Sequence, residues 1–170
     1  EDTLSLHDAL PISQKDISFV PFQFITYSVP YASTHTLSIL FTLEEFTGGN
    51  HPGYIFVSKN FDLKTGKELS LNDIFSNTPQ ALKKISLAAL QQITEDHSPA
   101  DETFTQVQRD GTAPIADNYR TFTITSSSIN FQFQPYQTGA WSDGAPEVEI
   151  PFSTLSKMLK SEFKKIVTIN

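Results

Sequence analysis

The sequence predicts an α+β fold, a mainly antiparallel sheet with two amphipathic helices packed on one face. Three observations predict it. Runs of alternating or β-branched residues come in pairs separated by Gly, Pro and Asn signals, as hairpins do. Two other stretches, from Thr78 and from Pro151, repeat apolar residues every three or four positions. Strands and helices do not alternate regularly, which argues against a parallel β-α-β layout. Composition agrees: of 170 residues only 18% are charged, while Phe numbers 14, Ser 18 and Thr 18, a bias toward strands. That length suits a single domain able to bury roughly 70% of its unfolded surface without a metal or disulfide.

Each element has its own signal. Residues 17–29 are aromatic and β-branched but interrupted by Pro21, which reads as an edge or bulged strand. Over residues 34–46, Leu37, Ile39, Phe41 and Leu43 alternate with Thr36, Ser38, Leu40 and Thr42, so one apolar face is expected to be buried. Gly48-Gly49 and Pro52-Gly53 punctuate a loop, and residues 54–61 return as the second strand of a hairpin. DLKTG (62–66) reads as a tight turn, with Gly66 free to take positive φ. Residues 69–75 follow as an extended piece with one helical turn. Thr78 is the expected cap of the first helix, with Pro79 behind it and Leu82, Ile85, Ala89 and Ile93 on its buried face. Gly111 and Pro114 make most of residues 104–118 a loop. Residues 121–125 and 129–133 form a hairpin, 135–146 a long loop and 147–150 a last strand. The second helix opens at Pro151-Phe152-Ser153, with Ser153 as cap and Leu155, Leu159, Phe163 and Ile166 buried.

Twelve Lys and Arg against nineteen Asp and Glu give a net charge of −7, which argues against nucleic acid and against polybasic docking on anionic lipid. With no Cys there is no disulfide, thiolate nucleophile or Cys-ligated metal. No apolar run approaches a membrane span. Residues 1–13 (EDTLSLHDALPIS) resemble a translated sequencing-adapter stretch and are read as a non-native leader, so the native N-terminus, with any signal or anchor, is expected to be missing. The other reading is a native, frayed segment.

The chemistry-bearing residues are few. His35, His51 and His97 match no paired-His metal spacing, so no metal and no cofactor is expected. His51 stands out because it sits with Asn50 and Tyr54 on the Gly-rich stretch FTGGNHPG (46–53), either a plain hairpin loop or a binding loop. Asp62 and Glu68 do not have calcium-loop spacing. Glu147 and Glu149 share one strand face, a pair that could serve a glycosidase or simply be solvated. Ser142-Asp143 lacks a nucleophile-elbow motif. The loop from Tyr136 to Gly144 holds Trp141, the single Trp, which either closes the core or presents a binding surface.

Three segments in order carry a resemblance: FTGGNHPG, KNFDLKTGKELSLNDIF (59–75) and FQFQPYQTGAWSDGAPEVEIPFSTL (131–155). Together, across residues 34–163, they resemble the C-terminal domain of RsiV-type proteins, a bacterial extracytoplasmic module also found beside the peptidoglycan deacetylase PdaC. Gly48, Gly49, His51, Pro52, Asp62, Gly66, Tyr136 and Gly144 match recurrent features of that family, mostly turn positions. The resemblance implies a non-catalytic module, since RsiV-type anti-sigma factors sense lysozyme by binding it and no catalytic residue is carried over. It implies residues 34–170 as the domain and 14–33 as a remnant of a smaller preceding one. The expected function is extracytoplasmic recognition of a lysozyme-like protein or a cell-wall glycan, by a monomer, through Asn50, His51, Tyr54, Tyr136, Trp141 and Asp143. A cryptic peptidoglycan-modifying activity of Glu147, Glu149 or Asp143, and a structural spacer, are the alternatives.

Overall fold

The computed structural model describes residues 21–95 and 102–167. Two antiparallel sheets organise it. The larger runs in sequence order through β1 (Phe22–Ala32), β2 (Thr36–Phe46), β3 (Gly53–Asp62) and β4 (Lys67–Glu68). The smaller holds β5 (Phe122–Ile124), β6 (Ser128–Gln132) and β7 (Glu147–Pro151). Helices α1 (Leu71–Ile74), α2 (Thr78–Glu95) and α3 (Glu102–Gly111) lie between the sheets in sequence, and α4 (Phe152–Leu155) and α5 (Ser161–Ile166) come after them. The α+β class is as the sequence predicts.

The small sheet obeys the alternation rule. Its register places Phe122, Ile124, Ile129, Phe131, Val148 and Ile150 on one face, all buried. Leu82, Ile85, Ala89 and Ile93 of α2 join them in one core, as their spacing requires. Each such side chain contributes roughly 1.5–3 kcal/mol on burial, which makes this layer the anchor of the domain.

Four local expectations are corrected. The cap of α2 is Asn77, whose Oδ1 accepts the Gln80 N–H at 3.0 Å, while the Thr78 hydroxyl donates to Asn72. Residues 102–111 are helical, with Gly111 ending α3 instead of preventing it. A Cβ on Gly111 would lie 1.9 Å from the Gln137 carbonyl oxygen, so glycine is needed there for close approach of the 134–139 loop. The second predicted helix is split into α4 and α5, and its cap is Pro151, not Ser153. Between the two, Leu159 bridges to Phe75 and the Lys160 N–H bonds the Ile74 carbonyl at 2.8 Å, so this backbone pairs with α1 and not with itself. Finally, the irregularity in β1 falls between Ser28 and Tyr31, around Pro30, whereas Pro21 precedes the strand.

The large sheet reverses the expected burial. Thr36 and Ser38 are fully buried, whereas Leu37, Ile39, Phe41 and Leu43 stay half-exposed on the opposite face. The cause is the neighbour. β5 is an edge strand of the small sheet, and its unpaired backbone groups abut the polar face of the large one. The Ile124 N–H donates to Ser38 Oγ at 2.9 Å, the Phe122 N–H to Ser58 Oγ at 2.9 Å, and Asn60 Nδ2 to the Phe122 carbonyl at 2.8 Å. Ser38 Oγ in turn donates to Asn60 Oδ1 at 2.6 Å. Polar side chains thus stand in for a missing strand and satisfy groups that burial would otherwise leave costly. The Thr36 hydroxyl does the same for the Ile166 carbonyl of α5, at 2.9 Å.

Candidate functional site

Where the β2–β3 loop meets the loop after β6, four aromatic rings converge. Gly48 and Gly49 take φ of 106° and 118°, which lets the chain turn and present His51. His51 Nδ1 lies 2.9 Å from the Pro52 carbonyl, which can only accept, so Nδ1 carries the proton. That leaves Nε2 to accept from the Tyr136 hydroxyl at 3.2 Å. Trp141 stacks on the His51 ring with centroids 3.9 Å apart and planes 14° from parallel. Tyr54 meets Trp141 edge-on at 4.8 Å, and Tyr136 tilts toward it at 5.9 Å.

The placement of Tyr136 has a backbone cost. The Gln137 N–H bonds the Gln134 carbonyl at 3.1 Å, closing a tight turn with Pro135 and Tyr136 at its centre. Tyr136 takes φ of 65°, a position in such a turn that favours glycine. A bulky residue there costs roughly 1–3 kcal/mol, and such strain concentrates at binding sites. The turn is braced by Gln137, whose Nε2 donates to the Gly111 and Asn118 carbonyls at 2.9 and 3.0 Å.

The rings stand at one end of a cleft of about 710 Å³ that runs along the outer edge of β3. Gln134 closes part of that edge. Its amide accepts the Phe56 N–H at 3.0 Å and returns a bond to the Phe56 carbonyl at 2.9 Å, as a neighbouring strand would. Arg120, Thr121 and Glu44 also line the cleft.

Of the residues singled out from sequence, His51, Tyr54, Tyr136 and Trp141 come together. Trp141 is half-buried and Tyr136 is 59% exposed, so neither serves to fill the core. Asn50 is exposed on the same loop but does not line the cleft. Asp143 lies outside it as well, and its Oδ2 accepts the Ala140 N–H at 2.7 Å to cap the short turn Trp141–Asp143. Glu147 and Glu149 lie exposed on the open face of β7, with Glu147 bonded to Asn130 at 2.8 Å. His35 is exposed beside Thr34, and His97 lies outside the described residues. Among the described residues no cluster of His, Cys, Asp and Glu is suited to a metal, and no helix is long and apolar enough to cross a membrane.

Sequence reasoning did not find Arg120, Gln134 and Glu44. Arg120 and Gln134 reach the cleft through the docking of one sheet on the other, a long-range event with no local signature, whereas Glu44 comes from the hairpin itself, across from Tyr54. Gln134 lies inside a segment that carries the family resemblance, yet nothing in its spacing marks it as the partner of β3.

Similarity to known proteins covers the same sheets and loops. Residues 72–153 match the model of a family described as "Protein of unknown function (DUF3298)". That match takes in Arg120, Gln134, Tyr136 and Trp141, while His51 and Tyr54 come from the hairpin before it. The fold is shared with a DUF3298 family protein from Pseudomonas aeruginosa PAO1, at a TM-score of 0.69 and 21% identity over 83% of this chain and 63% of that one. A second such protein, from Bacteroides fragilis NCTC 9343, matches at 0.67 and 24% over 86% of this chain and 56% of that one. The chain is 27% identical over 139 residues to the peptidoglycan-N-acetylmuramic acid deacetylase PdaC of Bacillus subtilis (strain 168). It thereby spans only 29% of that relative's length, with 82% of its own residues matched. The chain is thus similar to PdaC over those 139 residues and matches the DUF3298 model across residues 72–153.

Proposed function

We propose that this chain is a non-catalytic recognition module of a bacterial cell-envelope protein, acting outside the cytoplasm, and that its cleft binds a cell-wall glycan. The observation that carries the reading is Trp141, held by His51, Tyr54 and Tyr136 at the end of the β3 cleft. Sugar rings present apolar C–H faces, and a pre-positioned aromatic surface gives them contact area with little side-chain entropy to lose. Similarity to an enzyme named for peptidoglycan supports a wall polymer as the ligand.

The arrangement of carboxylates supports binding over hydrolysis. Glu147 and Glu149 are away from the cleft. Glu44 and Glu45 are successive strand residues and point to opposite sheet faces, so they cannot flank one bond. Glu68 is ion-paired with Lys59 at 2.8 Å.

A second reading keeps the narrower RsiV-type assignment and takes a lysozyme-like protein as ligand. Its support is the net charge of −7, which would steer a basic partner toward the domain. Calorimetric titrations separate the two. With a neutral N-acetylglucosamine oligomer we expect saturable heat that persists at 0.15 M salt and weakens about tenfold or more in Trp141→Ala. Absence of sugar binding overturns the glycan reading. One-to-one binding of a chicken-type lysozyme that survives the same salt, without sugar binding, turns the assignment to a protein ligand.

A further inference from the structure

The aromatic cluster accounts for one end of the cleft and leaves its charges unexplained. Five charged side chains line it: Glu44, Glu45, Lys59, Glu68 and Arg120. They are not equivalent. Lys59 and Glu68 neutralise each other. Glu45 stands across from Gly53, on the sheet face away from Tyr54. Glu44 stands directly across from Tyr54 and on the same face, so it belongs to the aromatic end.

Arg120 is exposed, and its guanidinium has no hydrogen bond or ion pair with any described residue. Its place is fixed by the next two residues of the chain. The Thr121 hydroxyl donates to the Phe56 carbonyl at 3.4 Å and the Phe122 N–H to Ser58 Oγ at 2.9 Å. Arg120 therefore stands where the chain reaches β3 at Phe56, and it lines the cleft. The cleft thus holds a carboxylate beside the rings, Glu44, and one cation without a partner among the described residues, Arg120.

We infer that Arg120 is a specificity-determining residue that reads a carboxylate on the bound glycan. This deepens the glycan reading and rests on it. The planar guanidinium fork matches a carboxylate through two parallel N–H donors, a geometry that a neutral hydroxyl does not use as well. Glu44 repels an anion at the aromatic end. A ligand with a neutral ring and an acidic substituent is thus oriented one way, its ring on Trp141 and its carboxylate toward Arg120. The ligand class is an amino-sugar glycan carrying a carboxylate ether, of the muramic acid type, in preference to a neutral amino-sugar polymer.

The test compares a disaccharide of N-acetylglucosamine and N-acetylmuramic acid with the same disaccharide reduced at its carboxyl group to the alcohol. For the wild-type chain the acid should bind about tenfold more tightly, the ratio expected of one charge-assisted contact. In Arg120→Gln that ratio should fall to about one, and in Arg120→Lys it should lie between. The folds of both variants are checked by circular dichroism. Equal binding of acid and alcohol to the wild type overturns the inference and leaves the glycan reading standing. A tenfold ratio that persists in Arg120→Gln overturns the role of Arg120. Failure of both sugars to bind removes the glycan reading and this inference with it.

Discussion

The two sheets use the same alternating pattern to opposite ends. On β6, Ile129 and Phe131 are fully buried on the core face, while Ser128, Asn130 and Gln132 take the other face, where Ser128 and Gln132 are also covered. On β2, Ser38 is fully buried, while the apolar set looks out beside Ile25 at 65% and Tyr27 at 70% exposure on β1. The register joins Ile25, Tyr27, Leu37, Ile39, Phe41, Leu43, Ile55, Val57 and Phe61 into one sheet face. What differs is the surface each sheet meets. The small sheet meets α2, which offers an apolar stripe. The large sheet meets the edge of β5, which offers backbone N–H and C=O groups. Hydrophobicity alone does not decide which face is buried; the hydrogen-bonding demand of the neighbour does.

The largest effect should come from comparing equivalent truncations on the two sheets. Phe131→Ala empties a fully packed site and should cost about 3–5 kcal/mol in urea unfolding. Ile25→Ser, on the open face, should stay within about 0.5 kcal/mol. Similar costs for the two would mean that the open face is packed in solution and would break the comparison. Next in size is Asn60→Leu. By strand pattern it should be harmless or stabilising, yet it leaves the Phe122 carbonyl without its donor and the Ser38 O–H without its acceptor. A loss of about 2 kcal/mol in the same assay is expected. A gain in stability would show that polar stitching does not hold the sheets together.

Legibility in the sequence divides along the same line. The hairpins, the turn at Gly66 and the buried stripe Leu82, Ile85, Ala89 and Ile93 are local, and local spacing predicts them. The burial of Ser38 and Asn60 depends on β5, more than sixty residues away from Asn60, and no window around either residue contains that information. The same holds for the cleft. His51, Tyr54, Tyr136 and Trp141 stand out because rings on Gly-rich loops are unusual. Arg120 and Gln134 do not, because their role comes from docking and not from type or spacing. The break between α4 and α5 is hidden for a related reason: Leu155, Leu159 and Phe163 are all buried, so the periodicity is genuine, but Leu159 is buried through a bridge to Phe75.

Tyr136 gives a smaller effect with opposite signs in two measurements. Tyr136→Gly relieves a backbone held at φ 65°, which is expected to gain about 0.5 kcal/mol of stability. It also removes the ring beside Trp141 and the bond to His51, so glycan affinity should fall about fivefold. Loss of stability together with affinity would mark the ring as a structural strut between the sheets' loops.

The smallest effect concerns the tie between the large sheet and the first helical turn. Burial works to raise the pKa of Asp73, but it is outweighed by bonds from Lys67 on β4 and from the Ser70 hydroxyl and N–H, which hold it at about 2 against a usual 3.8. The folded chain therefore binds this proton less readily than the unfolded one. The stabilisation is fully present above about pH 4 and is lost as the pH falls through about 2. Because the Lys67 side chain is 61% exposed, screening limits the contribution to about 1 kcal/mol. Asp73→Asn should lower stability by about that amount at pH 7 and flatten the acid limb of the stability profile between pH 4 and 2. An unchanged acid limb in the variant would mean that the β4 hairpin holds its place without this charge, leaving side-chain stitching to β5 as the main link between the two sheets.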